Sequence, residues 1–264
     1  MYGYDELLKD VRLYSLKGVK VESIGKSAQG RDIYCFCVGN GGIPVISTAA
    51  IHARENASAY VVLAQLRRAC ASGTGFARYF IPLVNPDGAE ILKEGLSRND
   101  ESLKLWKANA VGVDLNVNFD ARWASGRQNV FRVGSENYVG PSAFSESETR
   151  ALARFTETVG AGLTLSYHAS GREIYWYFFQ KENYERDLKI AKFAQCYLRN
   201  RYARIDSDCG SAGGYKDWCV EKLGIPALTI ELGNGKHPLS IEDVEEDIAL
   251  NTGLADALSR LINA

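Results

Sequence analysis

Apolar residues recur along the chain at two spacings, and the alternation between them predicts a protein built from helices and strands. In residues 4–17, the positions of Leu7 and Val11 place apolar side chains on one helical stripe. Residues 31–38 alternate between apolar and polar, and residues 44–51 are continuously apolar, so both segments are predicted to be strands. The glycine-rich turn between them is typical of a connection between neighbouring strands.

The same patterns continue to the C-terminus. Further helices are predicted at residues 57–71, 145–159, 184–204, 213–223 and 241–262, and further strands at residues 78–84, 163–168, 174–179 and 226–232. Asn85-Pro-Asp-Gly88 is predicted to be a turn, and residues 93–141 a long polar loop of the kind that usually carries function. Because no repeat or linker divides the chain, residues 1–264 are predicted to form a single α/β domain, with a mixed twisted β-sheet and helices on both faces.

Charge and composition exclude several classes of protein. The chain has 31 Lys and Arg residues against 32 Asp and Glu residues, a net charge of −1, which argues against nucleic-acid or membrane partners. The sequence has no apolar run that could cross a membrane, and the acidic N-terminal residues leave no signal-like apolar core. We therefore expect a soluble cytoplasmic protein whose six cysteines are reduced.

Three histidines limit the candidates for chemistry. His52 directly follows the apolar strand at 44–51, with Glu55 three residues further on, and His168 ends another strand. The third, His237, lies in a glycine-rich loop. Because α/β sheets bind ligands beyond the carboxyl ends of their strands, His52, Glu55 and His168 are candidates for a zinc site. The alternative is that such histidines only pack or form hydrogen bonds, which is commoner for a histidine at a strand end.

Two further carboxylates favour the functional interpretation. Asp114 lies in Gly112-Val-Asp-Leu-Asn116, inside the polar loop. Glu231 lies at the exit of the otherwise apolar strand 226–232. A carboxylate in such a strand is costly to bury unless it is paired or functional.

Taken together and in this order, the motifs resemble the zinc carboxypeptidase family. They are His52-Ala-Arg-Glu55, Gly112-Val-Asp-Leu-Asn116, Ser166-Tyr-His168 and Thr229-Ile-Glu-Leu232. Further matches occur at residues 24–31, 84–88 and 144–148, so that the resemblance extends over nearly the whole chain.

The resemblance implies a metallopeptidase with one Zn²⁺ per chain. The metal ligands would be His52, Glu55 and His168. Glu231 would be the general base, which activates the attacking water and then protonates the leaving amine. Asp114 would orient His52 and fix its tautomer.

The resemblance also implies residues that contact the substrate. Arg98 is the candidate for stabilising the oxyanion of the tetrahedral intermediate, although its alternative is a solvated loop charge. Asn116 matches a position that helps to hold the terminal carboxylate of the substrate.

Two departures from the family pattern define the predicted subclass. Val117 stands where typical members have an arginine that clamps the C-terminal carboxylate, and valine cannot make this contact. The place of a mobile tyrosine in digestive members falls on Cys209. With these departures the chain resembles the bacterial γ-D-glutamyl-L-diamino acid peptidases, which cut the γ-D-Glu–diaminopimelate bond of peptidoglycan stem peptides.

A diaminopimelate substrate needs cationic and amide partners, and several residues of the polar loop are candidates. They are Arg122, Arg127, Arg132 and Asn137. The substrate is expected to be a peptide or muropeptide, with soluble recycled muropeptides favoured. Two other functions stay open: a conventional metallocarboxypeptidase in which Arg127 replaces the missing clamp, and an inactive protein that only binds peptidoglycan fragments.

Overall fold

A mixed β-sheet runs through the part of the chain that the computed structural model describes, residues 1–207 and 210–264. Its eight strands are β1 (Lys20–Lys26), β2 (Asp32–Val38), β3 (Gly41–Ala49), β4 (Phe76–Ile81), β5 (Leu163–Ala169), β6 (Glu173–Tyr175), β7 (Ala203–Ile205) and β8 (Ala227–Leu232). They are ordered β1-β2-β4-β3-β5-β8-β6-β7 across the sheet.

Helices cover both faces of this sheet. They are α1 (Tyr4–Leu16), α2 (Ala59–Ser72), α3 (Pro86–Arg98), α4 (Ser147–Thr158), α5 (Tyr184–Tyr197), α6 (Tyr215–Glu221), α7 (Ile241–Asn251) and α8 (Leu254–Ile262). Side chains of α1, α2, α5, α7 and α8 belong to one apolar core, and those of α4 and α6 to a second core. The predicted fold class is therefore confirmed. None of the helices described is long and apolar enough to cross a bilayer.

The four central strands, β4, β3, β5 and β8, are mutually parallel. Every residue of β5 is buried, since helices cover both faces of the sheet. Parallel strands bring their carboxyl ends to one edge, and the segments that leave β3, β5 and β8 therefore emerge side by side. This edge of the sheet positions the functional groups.

Several element bounds differ from the prediction. Asn85-Pro-Asp-Gly88 begins helix α3 rather than forming a turn, because the Asn85 side chain accepts a hydrogen bond from the Gly88 amide and Pro86 occupies the first turn. The helix predicted at residues 184–204 ends at Tyr197, and the chain then enters β7. The last predicted helix is divided near Gly253 into α7 and α8. Strand β1 is not among the predicted elements.

Residues 99–146, called the irregular segment below, connect α3 to α4 with little regular structure, as the polar loop predicts. The buried Asn118 side chain holds this segment together. Its amide nitrogen donates to the carbonyls of Val139 and Ser142 at 2.8 and 3.0 Å, and its oxygen accepts from Thr149 at 2.9 Å. The segment thus has a defined shape without a helix or strand ladder.

Candidate active site

His52, Glu55 and His168 converge at the carboxyl edge of the sheet. His52 follows β3, Glu55 lies on the short 3-10 helix Ala53–Ser58, and His168 belongs to β5. The Nδ1 atoms of the two histidines lie 3.3 Å apart, and each lies 2.9–3.0 Å from a Glu55 carboxylate oxygen. All three side chains are buried. Three ligand atoms of metal-binding type therefore surround one point.

The second ring nitrogen of each imidazole also has a hydrogen-bond partner. His52 Nε2 lies 3.0 Å from Asp114 Oδ1, and His168 Nε2 lies 3.2 Å from Ser166 Oγ. Metal-binding histidines usually have such a partner on the second nitrogen. Tetrahedral ligands at zinc distances of about 2.0–2.1 Å lie roughly 3.3 Å from one another. The donor set and its spacing therefore fit Zn²⁺.

In the cluster, the Glu55 carboxylate faces the imidazoles of His52 and His168, and these groups shift one another's pKa values. Burial lowers the pKa of His52, but the charges of Glu55 and Asp114 outweigh burial and raise it to about 9. Burial raises the pKa of Glu55, yet the facing His52 and His168 hold it well below its usual range. Burial lowers the pKa of His168. Because a metal ligand must be unprotonated, metal binding and protonation of His52 exclude each other.

Glu231 lies next to the cluster because of the sheet register. In the parallel pairing of β5 with β8, Glu231 stands directly opposite His168. Burial and the nearby charge of Glu55 raise the pKa of Glu231 well above its usual range. The side chain also lines the pocket beside the cluster. A carboxyl group in this place is suited to exchange protons with a reacting group.

Lys107 is a cation of the site that the sequence reasoning did not identify. Its Nζ lies 2.7 Å from Asp114 Oδ2 and donates to Asn137 Oδ1 at 2.7 Å. Burial lowers the pKa of Lys107, but the Asp114 charge outweighs it and the pKa is raised. A lysine in a polar loop has no sequence pattern that marks it as a functional residue. In the structure, the backbone amide of Ala53 donates a hydrogen bond to the Lys107 carbonyl, and this contact holds Lys107 next to His52.

A pocket of about 170 Å³ opens beside the cluster. Asn116 and Val117 form part of its wall, and the Asn116 Oδ1 accepts a hydrogen bond from the Tyr215 amide at 3.1 Å. At another part of the wall, buried Lys216 lies 2.5 Å from Asp217 Oδ1 and donates to the Tyr177 carbonyl at 2.9 Å. The pocket thus offers an amide, an ammonium and a carboxylate around a small apolar surface.

The structure does not bring Arg98 to the cluster, and this differs from the expectation. Arg98 ends α3, its side chain is 71% exposed, and it pairs with Glu94 one helical turn earlier at 2.8 Å. The expectation rested on spacing through a presumed loop. Helix α3 occupies that stretch instead and turns Arg98 to the solvent.

The other predicted cations also lie away from the pocket. Arg127 lies against Gly210 in a neighbouring surface depression and is absent from the pocket wall. Arg122 binds Glu221 and stacks on the Phe179 ring. The exposed Arg132 is not part of the pocket wall either, whereas Asn137 does line it. Cys209 lies outside the described residues.

An α/β fold with a buried His-Glu-His cluster at the strand ends is typical of a metallohydrolase. Comparison with known protein families shows to which family the chain belongs. Residues 4–248 match the family described as zinc carboxypeptidase. The chain belongs to the zinc carboxypeptidase family, and it is a zinc metallopeptidase.

One curated relative is similar to the chain in sequence, and two solved structures are similar to it in fold. It is 28% identical to gamma-D-glutamyl-L-diamino acid endopeptidase 1 of Lysinibacillus sphaericus, over 92% of this chain and 68% of the relative. Thrombin-activatable fibrinolysis inhibitor has a similar structure, with a TM-score of 0.83 at 21% identity over 98% of this chain and 77% of that one. The murein-tripeptide amidase MpaA of Escherichia coli O157 matches with a TM-score of 0.61 at 21% identity, over 92% of both chains.

Proposed function

We propose that the protein hydrolyses the γ-D-Glu–diaminopimelate bond, or a similar bond, of peptidoglycan stem peptides. The observation that carries this proposal is the pocket wall, in which Val117 replaces a carboxylate-clamping arginine and Lys216 supplies a buried cation elsewhere. The similarity to a γ-D-glutamyl-L-diamino acid endopeptidase supports the same substrate class. A cytoplasmic location stays a prediction.

The proposed chemistry is hydrolysis of an amide by water. His52, Glu55 and His168 would hold the metal. When bound, Zn²⁺ supplies Lewis-acid polarisation and makes a water acidic enough to react near neutral pH. Glu231 takes a proton from the attacking water and returns it to the amine that leaves, so that its carboxyl group is unchanged after each cycle.

Asp114 and Lys107 lie next to the cluster, where one orients a proposed metal ligand and the other stabilises negative charge. Asp114 binds His52 through one carboxylate oxygen and Lys107 through the other. It therefore fixes the imidazole and holds a cation next to the place where the carbonyl oxygen becomes negative. We assign to Lys107 the oxyanion-stabilising role that the sequence had suggested for Arg98.

The leaving half of the substrate fits the pocket by charge. Diaminopimelate joined through one amine retains two carboxylates and one ammonium group. Lys216 offers an ammonium partner for a carboxylate, Asp217 a carboxylate for the ammonium, and Asn116 an amide for either. An ordinary C-terminal residue with an apolar side chain offers a carboxylate to Lys216 but no ammonium group, so it would leave Asp217 without a partner in the substrate.

Product analysis by mass spectrometry tests the proposal. The zinc-loaded protein is incubated with L-Ala-γ-D-Glu-diaminopimelate and, separately, with an N-blocked dipeptide that has a free C-terminus. Release of diaminopimelate from the first alone is the expected result. Release of an amino acid only from the dipeptide would identify a conventional carboxypeptidase, and cleavage of neither with zinc bound would favour the inactive binding protein.

A further inference from the structure

Asn137 lies in the pocket wall, and its side chain contacts Lys107. Its Oδ1 accepts a hydrogen bond from Lys107 Nζ at 2.7 Å, and the same ammonium group forms an ion pair with Asp114 Oδ2 at 2.7 Å. The Lys107 side chain is only 15% exposed, and that of Asp114 is buried. All three residues line the pocket beside the cluster. One anionic and one neutral acceptor therefore hold the ammonium group at the pocket wall.

Backbone hydrogen bonds connect the loop of Asn137 to the segment of Asp114. The Asp114 amide donates to the carbonyl of the buried Tyr138 at 3.0 Å, and the Val130 amide donates to the Asn137 carbonyl at 3.0 Å. Asn137 has a φ of 62°, in the left-handed region that asparagine adopts more readily than most other residues. The two acceptors of Lys107 therefore stand on one connected framework.

The geometry of an ammonium group explains what a second acceptor contributes. Such a group has three N–H donors and accepts no hydrogen bond. Among the described residues, Asp114 and Asn137 are the side-chain partners of Lys107, so one N–H remains for a group inside the pocket. With Asp114 as the only acceptor, the ammonium group could rotate about that contact, and the remaining N–H would have no fixed direction. A second acceptor removes this rotation.

Because the second acceptor is neutral, it preserves the positive charge of the site. The Asp114 carboxylate is already shared between Lys107 and His52. A second carboxylate at position 137 would repel an oxygen that becomes negative during hydrolysis. The amide of Asn137 directs the ammonium group without this repulsion. A donor that is oriented in advance stabilises the transition state, because it needs no reorganisation when the charge develops.

We propose that Asn137 is a positioning residue whose amide oxygen directs the Lys107 ammonium group at the oxyanion of the tetrahedral intermediate. This inference rests on the proposed function, in which Lys107 stabilises the oxyanion. It does not depend on which peptide is cleaved, since every amide substrate forms the same negative oxygen. The alternative is a direct contact between Asn137 and diaminopimelate, which is the role expected from the sequence.

A double-mutant cycle separates the two roles. Asn137→Gly removes the side chain and keeps the left-handed backbone, which glycine adopts freely. A hydrogen bond to a charged group corresponds to at least about 10-fold, so kcat should fall roughly 10-fold while KM stays within about 2-fold. In a Lys107→Met protein the same substitution should change kcat by less than about 2-fold, because the group that Asn137 directs is absent. An equal loss in both proteins, a loss confined to KM or no loss would overturn the proposal.

A binding test does not require turnover. Two phosphinates, one built on the murein tripeptide and one on the N-blocked dipeptide, carry an anionic tetrahedral group in place of the scissile amide. In calorimetry of the zinc-loaded protein, Asn137→Gly should weaken phosphinate binding roughly 10-fold and the binding of diaminopimelate, which has no such group, by less than about 2-fold. Equal affinity of wild type and variant for the phosphinate would overturn the proposal.

The two phosphinates also separate this proposal from the proposed substrate. A loss of about 10-fold that is seen only with the dipeptide analogue supports the role of Asn137 and contradicts the proposed substrate. If neither analogue binds to the zinc-loaded wild type, the pocket does not stabilise an oxyanion and both proposals fail.

Matched controls accompany both tests. Ser135→Ala removes a polar side chain from the same loop and keeps the backbone carbonyl that accepts from the Tyr138 amide, so it should change neither kcat nor phosphinate affinity. Zinc content and thermal unfolding verify each variant. Asn137→Ala replaces a glycine variant that does not fold.

Discussion

The sheet edge and the irregular segment build the two halves of the site in different ways. At the edge, His168 and Glu231 are fixed by the pairing of β5 with β8, in which they stand opposite each other. In the irregular segment, Lys107 and Asn116 are fixed by contacts to the Asp114 carboxylate, which pairs with Lys107 Nζ and accepts a hydrogen bond from the Asn116 backbone amide. Groups proposed for bond cleavage lie mainly on the first framework. Of those proposed for recognition, Asn116 lies on the second, and Lys216 and Asp217 lie on helix α6.

The difference shows how one reaction can serve several substrates. A shift of register in β8 would move Glu231 to the other face of the sheet and abolish the site. A change in the irregular segment, such as valine at position 117, leaves the sheet edge intact and alters what the pocket accepts. Substitutions in the two regions should therefore have different kinetic signatures.

The largest effect is expected for the proposed metal ligands at the sheet edge. His168→Ala removes one of three ligand side chains, so the protein should lose zinc and all measurable peptidase activity. Metal analysis of the purified variant gives the answer. The matched control is His237→Ala, which removes a histidine outside the cluster and should retain one zinc; retention of stoichiometric zinc by His168→Ala would contradict the ligand set.

Glu231→Gln should keep the metal and lose the proton transfer. The amide cannot accept a proton from water, and general acid–base catalysis contributes about 10²–10⁴-fold, so kcat should fall by that factor with zinc content unchanged. Single-turnover kinetics on the murein tripeptide measure it. Near-normal turnover would remove Glu231 from its proposed role.

Lys107→Met tests whether the irregular segment contributes to the chemical step. Removal of one oxyanion-stabilising group costs about 10²–10³-fold in kcat. Lys104→Met is the control, since Lys104 pairs with the exposed Glu101 nearby. A loss confined to KM would instead place Lys107 among the groups that only bind substrate.

Lys216→Met should affect binding more than chemistry. Loss of a charge-assisted contact that is present before and during the reaction raises KM by roughly 10-fold while kcat stays nearly constant. Steady-state kinetics on the tripeptide separate the two constants. Lys222→Met, which removes an exposed lysine of the adjoining segment, serves as the control; equal behaviour of the two variants would exclude Lys216 from recognition.

The smallest effect is expected for Arg98→Ala. The side chain is exposed and pairs only with Glu94 on its own helix among the described residues. Its removal should change kcat/KM by less than about twofold, as for most surface substitutions. A loss comparable to that of Lys107→Met would show that Arg98 reaches the substrate after all.

The sequence predicted the sheet edge better than the irregular segment, for a physical reason. An apolar strand that ends in His52 or Glu231 has a recognisable pattern, and parallel strands must bring their ends together. Among the described residues, His52, Glu55 and His168 form the cluster that the motifs predict.

The irregular segment has no such periodicity. Its shape depends on buried side chains such as Asn118, whose partners are distant in sequence or are backbone carbonyls. Spacing alone therefore suggested Arg98, which the structure places in the solvent, and gave no sign of Lys107. The Asn85 motif was interpreted as a turn although it caps a helix. The roles of Arg127 and Asn116 in binding stay predictions.

A competition experiment tests whether the protein prefers murein peptides to ordinary peptides. The zinc-loaded protein receives the murein tripeptide and the N-blocked dipeptide together, so that the ratio of initial rates gives the ratio of the two kcat/KM values. With the dipeptide, Val117 cannot bind the terminal carboxylate as an arginine would, and buried Asp217 has no substrate ammonium group to pair with. Together these two losses should lower kcat/KM at least about 100-fold relative to the tripeptide. We expect a preference of this size for the tripeptide; an equal or faster reaction of the dipeptide would contradict the proposed function.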